Sequence, residues 1–187
     1  MITKGAVEEI LSISNTVNYQ GKVSPLTNEL KENMKKITKE LNKQGLRVVA
    51  VCEKNELDKT SGFGVSDEKN MTIMGFIGFL DPPKETAKSS IEKLNNNGIR
   101  VIVLTGDNVE VTKCVCDKVG IKSSQIVTGT QIDRLADQGV RRLLKKTNIF
   151  AKLSPIQKAR IVRILKESGN IVGYMGDGIN DLSLIHI

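Results

Sequence analysis

From residue 84 onward the sequence alternates between short apolar runs and amphipathic segments, and this alternation limits the folds open to the chain. The runs 100–104, 149–151 and 171–175 are short and mostly apolar, as buried strands are. The segments between them have helical periodicity, and they predict helices over 84–96, 108–119, 133–145 and 155–167. Alternating strands and helices predict an α/β fold with a parallel sheet, right-handed crossovers and helices on both faces.

The first eighty residues follow a different pattern, typical of a smaller α+β domain. A short helical segment is predicted to open at Lys4-Gly5-Ala6, and residues 14–25 are polar and turn-rich. An amphipathic helix then begins near Leu26 and is stopped by Gly45. Valine-rich and glycine-containing apolar runs predict two strands, over 46–52 and 71–80.

Asp81-Pro82-Pro83 separates the two patterns. Two consecutive prolines cannot continue a hydrogen-bonded ladder, and they stiffen the connection that follows. The sequence therefore predicts one domain over 1–80, a hinge at 81–83 and a second domain over 84–187.

Composition and charge limit the kinds of partner that the chain is expected to bind. The net charge of +7 favours an anionic partner such as a nucleotide, a nucleic acid or an anionic membrane surface. Aromatic residues make up only 3%, which argues against single-stranded nucleic acid because base stacking needs them, and we expect no nucleic-acid partner. The longest apolar stretch, Met71 to Leu80, is ten residues long and too short to cross a bilayer. We also expect no signal peptide, and the three cysteines form no disulfide framework.

The last predicted strand is followed by a cluster of hard oxygen donors. Asp177, Asn180 and Asp181 come within five residues of Gly176. Carboxylates and carbonyl oxygens are the ligands that Mg²⁺ prefers, usually alongside substrate phosphates and water. Because ligands of parallel sheets gather at the carboxyl ends of the strands, this turn predicts a magnesium site, with an unliganded acidic turn as the alternative.

Two further loops are predicted at the same edge of the sheet. Thr105-Gly106-Asp107 follows a strand and opens a helix, where a hydroxyl and backbone amides form an anion site. Lys158 lies in the first turns of the helix after Ser154-Pro155, where a cation opposes the helix dipole unless an anion is near. Each feature alone also has an ordinary structural explanation. A hydroxyl, a lysine and an acidic loop together are the usual set for phosphoryl transfer.

These motifs occur in the order and spacing found in P-type cation-transporting ATPases, which the chain resembles over almost its whole length. The motifs are Lys4-Gly5-Ala6, Asp81-Pro82-Pro83, Thr105-Gly106-Asp107-Asn108, Lys158 after Ser154-Pro155, and Gly176-Asp177-Gly178-Ile179-Asn180-Asp181. The wording around the hinge, GFIGFLDPPKET, is most similar to the bacterial magnesium-transporting branch. The resemblance implies the later part of a nucleotide-binding domain followed by the later part of a haloacid-dehalogenase-like phosphorylation domain.

The resemblance also implies residue roles, with ATP and Mg²⁺ as cofactors. Lys4 would line the ATP pocket, Arg47 would reach the nucleotide phosphates, Lys152 would lie near the ribose, and Asp81 would sit at the hinge. Thr105 and Gly106 would hold the phosphoryl oxygens, with Asp107 beside the nucleotide. Lys158 would neutralise the phosphoryl group. Asp177 would bind Mg²⁺, supported by Asn180 and Asp181.

Other parts of the family pattern are not found in the chain. The family's aspartate nucleophile, in Asp-Lys-Thr-Gly-Thr, has no counterpart, and Asp58-Lys59-Thr60-Ser61-Gly62 imitates it only by coincidence in a polar loop. After Asp181 the family pattern does not continue, so we expect a truncated or foreign end and assign His186 no function.

The resemblance therefore implies a fragment that lies on the cytoplasmic side of a membrane-embedded parent protein. Membrane helices outside the chain would bind the transported cation, and the fragment alone would be inactive. Two alternatives remain: a phosphatase of the same architecture, and a nucleotide-binding module without catalysis.

Overall fold

The computed structural model describes residues 1–55, 62, 64–122 and 124–176, and it divides the chain into two compact units, Met1–Asp81 and Pro82–Ile187. Within the part of the chain described, no helix combines the length and the apolar character needed to cross a membrane.

In its described residues, the first unit has a five-stranded sheet in the order β1-β4-β5-β2-β3 and two α-helices. Neighbouring strands are antiparallel, apart from the parallel pair of β2 and β5. The strands are β1 (Ile2–Ala6), β2 (Ser14–Tyr19), β3 (Lys22–Pro25), β4 (Leu46–Glu53) and β5 (Met71–Leu80). The helices are α1 (Val7–Ile13) and α2 (Asn28–Lys43), and a short 3-10 helix spans Val65–Asp67.

One face of this sheet is buried under the two helices. Ala50 and Cys52 of β4 and Ile73 of β5 are almost completely buried against Ile10 and Leu11 of α1. These strand residues alternate with more exposed neighbours, so β4 reads as a strand that is covered on one face. The other face of the sheet is the one that bears the candidate nucleotide-binding residues.

One prediction for the first unit is wrong, and one segment forms strands that the sequence did not predict. Lys4-Gly5-Ala6 lies in β1, and the helix begins only at Val7, because β1 pairs along its whole length with β4. Residues 14–25, which the sequence describes only as polar and turn-rich, form a β-hairpin. Gln20 and Gly21 both have positive φ, 52° and 82°, which is the geometry of the two-residue turn that matches strand twist. The hairpin strands are polar, which hid them from a reading based on apolar runs.

The second unit has a parallel sheet in the order β6-β8-β7 in its described part. Its strands are β6 (Val103–Leu104), β7 (Ile126–Thr128) and β8 (Ile149–Ala151). Its helices are α3 (Ala87–Asn96), α4 (Val109–Lys118), α5 (Gly129–Asp133), α6 (Asp137–Lys146) and α7 (Pro155–Glu167).

Helices cover both faces of this sheet, as predicted. Phe150 in the central strand packs with α5, α6 and α7 on one face, where Ile161 and Ile164 of α7 are fully buried. Its neighbour Ile149 belongs to a separate cluster on the other face, which includes Cys116 of α4. The α/β class is therefore confirmed, and the bounds of β8 and α7 are those that the sequence predicts.

Two further predictions are wrong in the second unit. The segment 171–175 has no strand geometry, and Ile171 and Met175 are fully exposed. A strand needs a hydrogen-bonding neighbour, and among the described residues no strand pairs with this segment. The helix predicted over 133–145 is observed as α6 and begins four residues later, because residues 134–136 separate it from the short helix α5. Arg160 donates to the carbonyl oxygens of Ile132 and Leu135 at the break, which stabilises the interruption.

Candidate functional site

The carboxyl ends of β6 and β8 hold two of the loops singled out by the sequence. Three backbone hydrogen bonds join them. The amide of Thr105 donates to the Phe150 carbonyl (3.0 Å), that of Leu153 donates to the Thr105 carbonyl (3.0 Å), and that of Lys152 donates to the Asp107 carbonyl (2.8 Å). The structure therefore brings the Thr105 loop into direct contact with the segment that leads to Lys158.

The Thr105 loop is rigidly shaped by its own polar groups. The Thr105 hydroxyl accepts from the Asp107 amide at 3.1 Å, and the Asn108 side chain caps α4 by accepting from the Val111 amide at 2.9 Å. The Thr112 hydroxyl donates back to the Asn108 carbonyl at 2.7 Å. This local sequence therefore places the N-terminal end of α4, with its partial positive charge, at the carboxyl edge of the sheet.

The segment after β8 makes an unusual turn before α7. Lys152 has a φ of 52°, in the left-handed region that non-glycine residues rarely adopt. Ser154 then caps α7 by accepting from the Gln157 amide, and Pro155 occupies the first helical position. Lys158 is partly buried in the first turn of α7, with its amide bonded to the Ser154 carbonyl at 3.1 Å.

The predicted magnesium site, formed by Asp177, Asn180 and Asp181, lies outside the described residues. Asp58 also lies outside them. Among the residues that the structure does describe, no three histidine, cysteine, aspartate or glutamate side chains are grouped to hold a metal ion. The magnesium site remains a prediction.

In the first unit, two predicted cationic residues lie on the face of the sheet opposite the core. Lys4 is directly opposite Val51, and Arg47 is directly opposite Phe79. Side chains two apart on a strand share a face, so Lys4, Val51 and Arg47 all belong to this second face. Val49 between them is opposite Ile77. The face thus has an apolar centre with a cation towards each end.

Arg47 also contacts the predicted hinge residue. Its Nη2 lies 3.9 Å from the Asp81 carboxylate, and both side chains are more than half exposed. An exposed ion pair of this length stabilises the fold little, so neither residue is held rigidly by the other.

Sequence reasoning missed several residues around these sites. Ile77 and Phe79 are about half exposed on the sheet face that carries Lys4 and Arg47, which we call the cationic face. The alternation in GFIGFL was the sequence signal that could have assigned them to one face. Gln157 links α7 to α5 through a 2.7 Å hydrogen bond to Asp133. The two are 24 residues apart in the chain, and no sequence signal pointed to that contact.

Comparison with known proteins agrees with the resemblance. Residues 1–86 match the family described as P-type ATPase, cytoplasmic domain N, and residues 53–185 match the haloacid dehalogenase-like hydrolases. The chain is 41% identical over 181 residues to the Magnesium-transporting ATPase, P-type 1, of Escherichia coli strain K12. This aligned region covers 97% of the chain and 20% of that relative. It is 30% identical over 187 residues to the Calcium-transporting ATPase of Bacillus subtilis strain 168, which covers 99% of the chain and 21% of that relative.

The chain spans about a fifth of the length of the curated relatives that it matches. Both family matches and both relatives point to the same assignment. The chain belongs to the haloacid dehalogenase-like hydrolases, and its first 86 residues match the cytoplasmic domain N of P-type ATPases.

Proposed function

We propose that the chain is the ATP-binding and phosphoryl-transfer portion of an ATP-driven membrane cation pump of the magnesium-transporting branch. The observation that carries the proposal is the direct contact between the Thr105 loop and the segment before Lys158 at the carboxyl edge of the sheet. The higher identity to the magnesium-transporting relative, 41% against 30%, favours that branch. The parent protein would be embedded in the cell membrane by helices that bind the transported cation, with this segment on the cytoplasmic side.

The chemistry assigned to the second unit is binding and charge neutralisation. The Thr105 hydroxyl accepts from the Asp107 amide, so its own proton is the group that it can donate to a phosphoryl oxygen. Gly106 is exposed and its amide can approach the same oxygens without a side chain in the way. The Lys158 ammonium would balance the negative charge, as phosphoryl transfer requires.

Magnesium would lower the repulsion between the phosphates and the incoming nucleophile when it is bound. Asp177 would hold it, with Asn180 and Asp181 in support, because carboxylate and amide oxygens are the donors that suit this ion. The aspartate that would become phosphorylated would lie outside the chain. Asp107 would act beside the nucleotide, as would Lys152 near its ribose.

The proposal for the first unit is that ATP binds on the cationic face of its sheet. Lys4 and Arg47 would contact the phosphates, and the apolar centre with Val49, Val51 and Ile77 would contact the base. Apolar floors with a few placed cations are typical of nucleotide pockets.

Titration of the chain with ATP tests this assignment. Lys4→Ala should weaken ATP binding by roughly tenfold, the usual loss when one charge-assisted hydrogen bond is removed. Lys22→Ala is the matched control, because Lys22 is an exposed lysine on β3, at the opposite edge of the same sheet. Equal dissociation constants for the two variants would contradict the assignment.

Phosphoenzyme formation by the protein translated from the full reading frame tests the roles proposed for residues of the second unit. Lys158→Ala and Asp177→Ala should abolish labelling by γ-phosphate, and the exposed Lys166 at the other end of α7 supplies the control Lys166→Ala. The same reading frame should contain Asp-Lys-Thr-Gly-Thr and several apolar spans of about twenty residues. A frame with an upstream nucleophile and no spans would favour the phosphatase, and full labelling of Lys158→Ala would refute the role of that lysine.

A further inference from the structure

We propose that Gln157 is a positioning residue that fixes the segment 152–158 against the Thr105 loop. The proposal rests on the proposed function in one respect, since it takes Thr105 and Lys158 as the phosphoryl-binding groups. Gln157 does not face those groups as a ligand; it acts through the backbone that carries them.

Gln157 uses both ends of its side-chain amide. Its Oε1 accepts from the Ser154 amide at 2.8 Å, which together with the Ser154 cap closes the first turn of α7. Its Nε2 donates to the Asp133 carboxylate at 2.7 Å, at the end of α5. A glutamate could make the first bond but would have no proton for the second. The side-chain amide is therefore the group that ties the start of α7 to α5.

Close packing at Gly129 fixes the same segment from below. A Cβ at Gly129 would lie 2.5 Å from the Lys152 carbonyl oxygen and 2.3 Å from Gln157 Oε1. These distances are shorter than real Cβ contacts, so the Lys152 carbonyl and the Gln157 amide both rest directly on the first residue of α5. The segment is held by contact as well as by hydrogen bonds.

A shift of this segment is passed on to the Thr105 loop. The amides of Lys152 and Leu153 are the donors to the carbonyls of Asp107 and Thr105. One turn further along α7, Arg160 makes four hydrogen bonds to the α5–α6 region, including two to Asp137. The body of α7 is therefore anchored independently, and loss of the Gln157 contact should act on the first turn without releasing the helix.

The contact can be reversed in polarity by two substitutions. Gln157→Glu keeps an acceptor for the Ser154 amide but sets a second carboxylate against Asp133. Asp133→Asn alone should be close to wild type, because its amide oxygen can still accept from Gln157 Nε2. In the double variant Q157E/D133N the new asparagine amide can donate to the new glutamate, which restores the bond with donor and acceptor exchanged.

Amide hydrogen exchange in the ¹⁵N-labelled chain measures the effect. The amides of Lys152 and Leu153 should exchange about five- to tenfold faster in Gln157→Glu, as expected for loss of one hydrogen bond and gain of repulsion. The rate should return to the wild-type value in the double variant. The Val103 amide, which donates to the Asn148 carbonyl at the other end of β6, is the internal control and should not change. An unaltered rate in Gln157→Glu, or no recovery in the double variant, would overturn the proposal.

Titration with inorganic phosphate and Mg²⁺ separates a positioning role from a merely structural one. The phosphate dissociation constant, followed at the Thr105 and Lys158 amides, should rise about five- to tenfold in Gln157→Glu and recover in the double variant. Faster exchange with an unchanged dissociation constant would overturn the positioning role. If phosphate leaves the Thr105 amide signal of the wild-type chain unchanged, this result counts against the proposed function. The exchange rates alone would then test whether Gln157 fixes the segment against the Thr105 loop.

Discussion

Replacing Gly129 by alanine tests how closely the candidate site is packed. The new Cβ would lie 2.5 Å from the Lys152 carbonyl oxygen, which must retreat by about 0.9 Å to reach an ordinary contact of 3.4 Å. Gln157 Oε1, at 2.3 Å, is the end of a flexible side chain and can turn away, whereas the carbonyl belongs to the backbone. Overpacking of this kind costs about 1–3 kcal/mol.

The alanine also brings a gain that must be subtracted. Gly129 has no left-handed φ and begins α5, so the helix propensity of alanine stabilises the variant by up to about 1 kcal/mol. Because the Lys152 carbonyl belongs to the backbone, the upper part of the overpacking cost applies, about 2–3 kcal/mol. Subtracting about 1 kcal/mol leaves a net loss of roughly 1–2 kcal/mol in the free energy of unfolding of the second unit.

Urea unfolding followed by circular dichroism measures this loss. With an m-value of about 2 kcal/mol/M, the midpoint should fall by about 0.5–1 M. Gly173→Ala is the control: nothing lies within 4 Å of its added Cβ, so its midpoint should not fall. A Gly129→Ala variant as stable as the wild type would show that the Lys152 segment yields freely, and the account of a tightly packed site would be refuted.

Three further outcomes follow from other parts of the fold. Hydrogen bonds and charge from two arginines hold the pKa of Asp137 below its usual range. The stabilisation from this carboxylate is therefore present above about pH 4 and is lost as the pH falls further. Below about pH 4 the unfolding free energy of Asp137→Asn should fall less steeply with pH than that of the wild type. Burial raises the pKa of Cys116 to about 11, so iodoacetamide at pH 8 should label the half-buried Cys114 well before Cys116, and equal rates in a mass-spectrometric time course would contradict this. Gly21→Ala should destabilise the first unit by about 1 kcal/mol in thermal unfolding, because φ is +82° with open space around it, and an unchanged midpoint would exclude strain at the turn.

The elements that the sequence predicted best are those with a strong local signal. β5 has a continuous apolar run ended by Asp81-Pro82-Pro83, and its observed bounds are the predicted ones. α7 has a serine cap, proline at its first position and buried residues at helical spacing. In both, the residues that define the element are neighbours in the chain, so periodicity and capping suffice.

The misplaced elements depend on partners that the local sequence does not reveal. Residues 171–175 have the apolar content of a strand, but a strand forms only where a neighbour offers hydrogen bonds. The hairpin from Ser14 to Pro25 is polar and owes its register to the turn at Gln20-Gly21. An apolar pattern alone therefore overestimates one strand and misses both strands of this hairpin.

The candidate site also combines features that the local sequence predicts with contacts that depend on distant parts of the chain. That Thr105 and the segment before Lys158 meet follows from their shared sheet edge, and sequence reasoning reached it. The contacts of Gln157 with Asp133 and of Gly129 with the Lys152 carbonyl depend on how α5 packs beside α7. Packing between elements that are distant in the chain is fixed by the fold as a whole, and no motif encodes it.

The proposed function requires that the loops after β6 and β8 form one site for a tetrahedral oxyanion. A crystal of the chain grown with Mg²⁺ and soaked in tungstate tests it, because tungsten gives an anomalous signal that locates the anion directly. We expect a peak whose oxygens lie within hydrogen-bond distance of the Thr105 hydroxyl and the Lys158 ammonium. A peak confined to lysines away from this edge of the sheet would contradict it.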